Sequence, residues 1–103
     1  MTTLLALYRR PDGDEALATF LRRYRDEHLP LVAATPGLRA TRVQHVGQAL
    51  GGETDLVLIT AMEFDDRAAL DLGLASDAMR EAGRNLREIA PGLATLLVLE
   101  DDV

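Results

Sequence analysis

Only two side chains in this sequence titrate near neutral pH without a large push, His28 and His45. The first sits in Tyr24-Arg25-Asp26-Glu27-His28-Leu29-Pro30-Leu31. Tyr24 and His28 lie four residues apart, so a helix brings phenol and imidazole onto one face. A neutral imidazole there can take a proton from an enolisable substrate or return one. The plainer reading is a histidine at a helix C-terminus, capping carbonyls at the negative end of the dipole. Tyr8 and Tyr24 offer hydroxyls to a ligand carbonyl or phenol, or else are core aromatics with the hydroxyl at the rim. Glu27 belongs to a different face from its neighbour His28 and reads as solvated. His45 and Arg42 fall on opposite faces of a strand and read as surface or dimer-contact residues.

Missing residue types narrow the chemistry further. There is no Cys, which excludes thiolate nucleophiles, disulfides and Cys-bound metal sites. There is no Lys, since all 11 basic residues are Arg, which excludes a Schiff-base or phosphate-loop lysine. The single serine, Ser76, precedes Asp77 and reads as a helix N-cap rather than a nucleophile. Gly51-Gly52 lacks the strand-to-helix setting of a phosphate loop. No close His spacing exists, and a site from His28, His45 and Glu63 would need distant convergence, so no metal is expected. Met62 and Met79 read as gap-filling apolar residues rather than a flavin contact. The net charge of −6 argues against nucleic acid and anionic membranes as partners. Absence of Cys fits a reducing cytoplasm. The longest apolar stretch, 56–62, is far too short for a membrane span, and the start of the chain lacks the pattern of a signal peptide.

The elements that must hold these residues follow from pattern. The chain has 103 residues, 48% hydrophobic and 27% charged, which is an ordinary globular balance for one domain over 1–103. Residues 3–10 read as a strand closed by the turn Pro11-Asp12-Gly13-Asp14, with Asp14 as N-cap of a first helix. Leu17, Phe20, Leu21, Tyr24, His28 and Leu31 share one helical face. Pro30 is expected to end the regular helix near His28, with a looser turn reaching Ala34. Residues 38–46 read as a strand, 47–54 as a Gly-rich loop, and 55–64 as a strand apolar on both faces. Asp65-Asp66 signals a second helical region, with a break near Gly73 and a fresh start at Ser76. Residues 93–100 make the last strand.

The order β-α-β-β-α-β implies an α+β, ferredoxin-like fold: a four-stranded antiparallel sheet with two helices on one face. Leu17, Phe20, Leu21, Leu31, Leu58, Met62, Phe64, Met79 and Leu86 are the expected core between them. The strands nevertheless carry apolar residues on both faces. A monomer would expose more apolar sheet than soluble monomers tolerate, which points to a homodimer with sheets packed face to face.

The segment 24–31, followed by Pro36-Gly37-Leu38-Arg39 and preceded by Leu7-Tyr8-Arg9-Arg10, resembles the signature of the EthD family. That family belongs to the dimeric α+β barrel superfamily. The resemblance covers the first 46 residues; the second half matches in element order only. It implies a dimer whose sheets close into a barrel, with a small-molecule pocket between each sheet and its helices. The superfamily includes cofactor-independent monooxygenases, polyketide cyclases, lactone isomerases and dehydratases. The resemblance therefore implies a cofactor-independent oxidoreductase, or else a cyclase, isomerase or dehydratase, acting on a hydrophobic oxygenated or polyketide-like compound. His28 and Tyr24 would be catalytic, and Tyr8, Phe20, Leu31, Met62, Phe64 and Met79 would bind substrate. No cofactor is expected. A reading from another class is a non-catalytic dimeric module that binds a metabolite or stabilises a partner, which the sparse stock of catalytic residues favours.

Overall fold

A computed structural model describes residues 1–102. β1 (Thr2–Arg9) leads through the turn at Gly13, whose φ of 92° suits glycine, into α1 (Asp14–Arg23). Gly13 takes the N-cap place expected of Asp14, which is instead the first helical residue. Its carboxylate meets Arg10 at 2.6 Å rather than a backbone N–H.

The first helix does not end at His28. Residues Tyr24–His28 form a π-helical turn, and α2 (Leu29–Ala33) carries the helix on. Pro30 lacks an N–H and its ring crowds the carbonyl of the preceding turn in a regular α-helix. The wider turn relieves both problems: the Leu29 N–H reaches back five residues to the Tyr24 carbonyl, and Pro30 starts a new α-helical turn. The extra residue in the turn also shifts the phase downstream. Val32 is buried, whereas Leu31, expected on the inner stripe, is half-buried at its margin.

β2 (Ala40–His45) and β3 (Leu56–Phe64) follow. The second helical region is two helices, α3 (Arg67–Leu74) and α4 (Asp77–Ile89). Each starts on a side-chain cap, Asp66 accepting from the Ala69 N–H at 2.8 Å and Ser76 from the Met79 N–H at 3.2 Å. β4 (Ala94–Glu100) closes the chain.

The strands form one antiparallel sheet in the order β2-β3-β1-β4, with both helical arms on one face. This is the α+β, ferredoxin-like arrangement. Tyr8 pairs with Leu58 and Ala94, and His45 pairs with Leu58. Even-numbered residues of β1 and β3 face the helices and are buried: Leu4, Ala6 and Tyr8, then Leu58, Thr60, Met62 and Phe64. Phe20, Tyr24, Val32 and Leu70 press on them from the helical layer. The opposite face carries Leu5, Leu7, Val57 and Ile59 with no second layer. That layer also stops short of β4, where Leu96, Leu97, Val98 and Leu99 are all exposed, at 52%, 41%, 38% and 44%.

Candidate active site

The helix-covered face supplies the candidate site. Between sheet and helices lies a cavity of about 110 Å³, lined by Leu4, Tyr8, His28, Val32, Met62, Leu74, Met79, Ala82, Gly83, Leu86 and Leu96. Its walls are almost wholly apolar. Only Tyr8 and His28 bring acid–base chemistry to it. The space is on the scale of the ~150 Å³ engineered cavity that takes benzene. Leu96, half-exposed on the edge strand, forms part of its rim.

His28 reaches this place because the π turn keeps it on the inner face one turn after Tyr24. The two rings lie 5.0 Å apart, tilted by 33°. Burial pushes the ring's pKa below its ordinary value. The Asn85 side chain and the Ala82 carbonyl act the other way and do not offset burial. The imidazole is therefore neutral at pH 7. Its Nδ1 lies 3.2 Å from Asn85 Oδ1. Asn85 Nδ2 donates to Glu27 Oε1 at 3.1 Å, and Arg23 donates to both Glu27 oxygens at 2.8 and 2.9 Å. Glu27 is thus not simply solvated: Arg23 holds its carboxyl below the usual range and fixes it against Asn85.

Tyr24 does not line the cavity. It stands behind Tyr8, with ring centroids 5.0 Å apart and edge to face. Its hydroxyl lies 2.6 Å from Thr60 Oγ1 and donates to the Tyr8 hydroxyl at 3.2 Å. Tyr24 has one proton to give, so the Thr60 hydroxyl donates to Tyr24. The Tyr8 proton is spent on neither bond, and Tyr8 borders the cavity. Neither phenol sits at a rim; both are sealed in the core. Burial first, then Tyr24 beside it, raises the Tyr8 pKa far above the tyrosine range, and burial raises that of Tyr24. Both remain neutral.

Of the residues read as site candidates, the fold gathers Tyr8, His28, Met62 and Met79 around one cavity. Phe20 stacks with Tyr8 and Tyr24 at 5.6 Å in the core, Phe64 lies deep beside Gly73, and Leu31 is outside the lining. His45 lies in a separate groove of about 330 Å³ with Leu21, Tyr24, Arg25, Leu29, Val43 and Leu58. The two histidines do not converge. Among the described residues no three His, Asp or Glu side chains come together as a metal would need. Val32, Ala82, Leu86 and Asn85 complete the surroundings of His28, and sequence reasoning gave none of them a role there.

No family model and no curated protein matches the chain. Solved structures do. An ethyl tert-butyl ether D (EthD) family protein of Bacillus halodurans C-125 is 31% identical, with a TM-score of 0.87 and 98% of each chain covered. The chain belongs to the EthD family. Other neighbours share the fold at lower identity. A dimeric ferredoxin-like protein of unknown function from Bacteroides fragilis is 18% identical at a TM-score of 0.69, covering 97% of this chain and 95% of its own. A structure described as an antibiotic biosynthesis monooxygenase is 18% identical at 0.67, with both chains covered fully. Among the described residues of this EthD chain, no helix is long and apolar enough to cross a membrane.

Proposed function

We propose that this EthD-family chain is a small-molecule enzyme that moves a proton on a hydrophobic, oxygenated compound. His28 acts as acid/base, and the Tyr8 hydroxyl orients the substrate oxygen. The observation that carries this reading is a neutral imidazole and an unspent phenol proton on one otherwise apolar cavity. A carbonyl oxygen on Tyr8 and an acidic C–H or O–H toward His28 would use both groups. Proton removal leaves a carbanion or phenolate whose electrons dioxygen, as co-substrate, takes up in a cofactor-independent oxidation, which is the favoured reaction. It also opens isomerisation, cyclisation or dehydration. Tyr24 contributes by holding the Tyr8 hydroxyl.

A homodimer through the open sheet faces belongs to the same reading. Leu5, Leu7, Val57 and Ile59 there, with exposed Leu97 and Leu99 beside them on β4, provide the apolar area for such an interface. A cytoplasmic setting and a hydrophobic small-molecule partner complete it. The second reading, a non-catalytic binding module, is favoured by how little of the cavity lining is polar.

The test is a screen of small carbonyl and phenolic compounds for proton exchange with solvent and for oxygen uptake, followed by His28→Gln. Turnover should fall about 10²–10⁴-fold while fold and assembly persist. Full turnover in a folded His28→Gln protein would remove the catalytic reading and leave the binding module.

A further inference from the structure

We infer that Asn85 is a positioning residue that locks His28 as the Nδ1–H tautomer and so makes Nε2 the base. The inference rests on the reading of His28 as the proton-transfer group and adds which nitrogen acts and what decides it.

Arg23 is a donor only, so its two bonds of 2.8 and 2.9 Å require both Glu27 oxygens to accept. Arg23 also keeps Glu27 ionised, leaving that carboxylate no proton to give. The Asn85 edge 3.1 Å from Glu27 Oε1 must then be its NH₂. That orientation turns Asn85 Oδ1 to His28 Nδ1 at 3.2 Å. An amide oxygen only accepts, so Nδ1 carries the hydrogen. A neutral imidazole has a single N–H, and Nε2 is left with its lone pair. The opposite tautomer would set two lone pairs against each other across the 3.2 Å contact.

An amide rather than a carboxylate at this place has a consequence for acidity. An Asp in contact with the ring would hold the imidazolium; Asn85 orients it without adding charge. The groups around the ring are few. Tyr24 and Glu27 share its helix, Asn85 and the Ala82 carbonyl come from α4, and Tyr8 comes from β1. Arg23 and Glu88 pair 3.2 Å apart at the outer end. Among the described residues no carboxylate touches the imidazole.

The experiment is ¹⁵N-resolved NMR of the histidine rings in the full chain above pH 7. The expected spectrum shows a protonated Nδ1 and an unprotonated Nε2 for His28. A protonated Nε2, as a bond from Nε2 to the Ala82 carbonyl would give, or averaging of the two forms, would overturn the inference on the unaltered protein. Two variants extend it. Asn85→Leu should release the lock, so that the two tautomers average, with circular dichroism and assembly unchanged. Asn85→Asp should raise the His28 titration midpoint by about one pH unit or more. No change of tautomer in Asn85→Leu would also overturn it. The two readings fail separately: turnover surviving His28→Gln sinks the proposed function, whereas an Nε2–H spectrum with activity still lost in His28→Gln sinks only the role of Asn85.

Discussion

On β1, Leu4, Ala6 and Tyr8 are sealed beneath the helices, while their neighbours Leu5 and Leu7 keep part of their surface open. β3 repeats the division, with Leu58, Thr60 and Met62 inside and Val57, Ile59 and Ala61 half-covered. Backbone, strands and hydrogen bonds are the same for both faces; only side-chain parity differs. The covered face has accommodated polar atoms by pairing them, as in Thr60–Tyr24–Tyr8. The open face carries polar groups along its β2 edge, Arg42 and Gln44 opposite Ala61 and Ile59, and at the end of β1, where Arg9 bonds the Gly92 carbonyl and, at 3.1 Å, the Thr95 hydroxyl. One face is therefore covered within the chain and holds the cavity, and the other has no layer of this chain against it.

Truncating one side chain on each face of β3 gives the sharpest contrast. Leu58→Ala should cost about 2–5 kcal/mol in chemical denaturation, at any protein concentration. Ile59→Ala should cost less, and its effect should change with protein concentration because it acts through assembly. Equal costs at every concentration would abolish the distinction between the faces.

Removing one hydroxyl comes next. Tyr24→Phe leaves Thr60 and Tyr8 short of a partner in a buried setting and should cost about 1–3 kcal/mol. Thr95→Val, which removes an exposed acceptor of Arg9, should stay within about 0.5 kcal/mol. A Tyr24→Phe protein as stable as its parent would mean that the hydroxyl chain does not organise the covered face.

The smallest effect is in pH. Folding lowers the His28 pKa, so the unfolded chain binds the proton first as pH falls. Its contribution is fully present above the ordinary histidine value of about 6.5 and is lost as pH drops from there toward the lowered folded value. Stability measured against pH should decline across that window, and His28→Gln should decline less. A steeper decline in the variant would reverse the assigned sign.

Much of this was legible in the sequence where the cause is local. Strand parity exposed both faces of β3, and Asp66 and Ser76 announced their helices because a cap needs only the next three residues. The residues up to Arg39 carried the family, which the Bacillus halodurans relative shows. Other features were not legible, the π turn and Asn85 among them. The proline rule predicts a stop at Pro30 because it assumes α-helical spacing, and a π turn leaves no separate mark in composition. Asn85 lies 57 residues from His28, and their meeting is a tertiary fact. The available hint was its helical neighbours Ala82 and Ile89, both buried, which place a polar amide beside the inward stripe.

The π turn has a consequence for how this chain can change length. It holds one residue more than a regular helix would need between Tyr24 and Leu29. Deleting one of Arg25, Asp26 or Glu27 would leave a chain able to wind as an unbroken α-helix there, but for Pro30. Residues after the deletion would keep their phase against the sheet, because the π turn already absorbs the extra residue. Val32 would stay on the cavity wall, and the change would be confined to the turn that sets Glu27 and His28 against Asn85. The stretch from Gly47 to Thr54, by contrast, is an exposed loop in which Cβ atoms added at Gly47, Gly51 and Gly52 would meet nothing. Longer insertions and deletions in descendants of this sequence should collect in that loop, whereas residues 24–29 should accept no change but the loss of their one extra residue, the π turn acting as slack that takes up length without moving the helix beyond it.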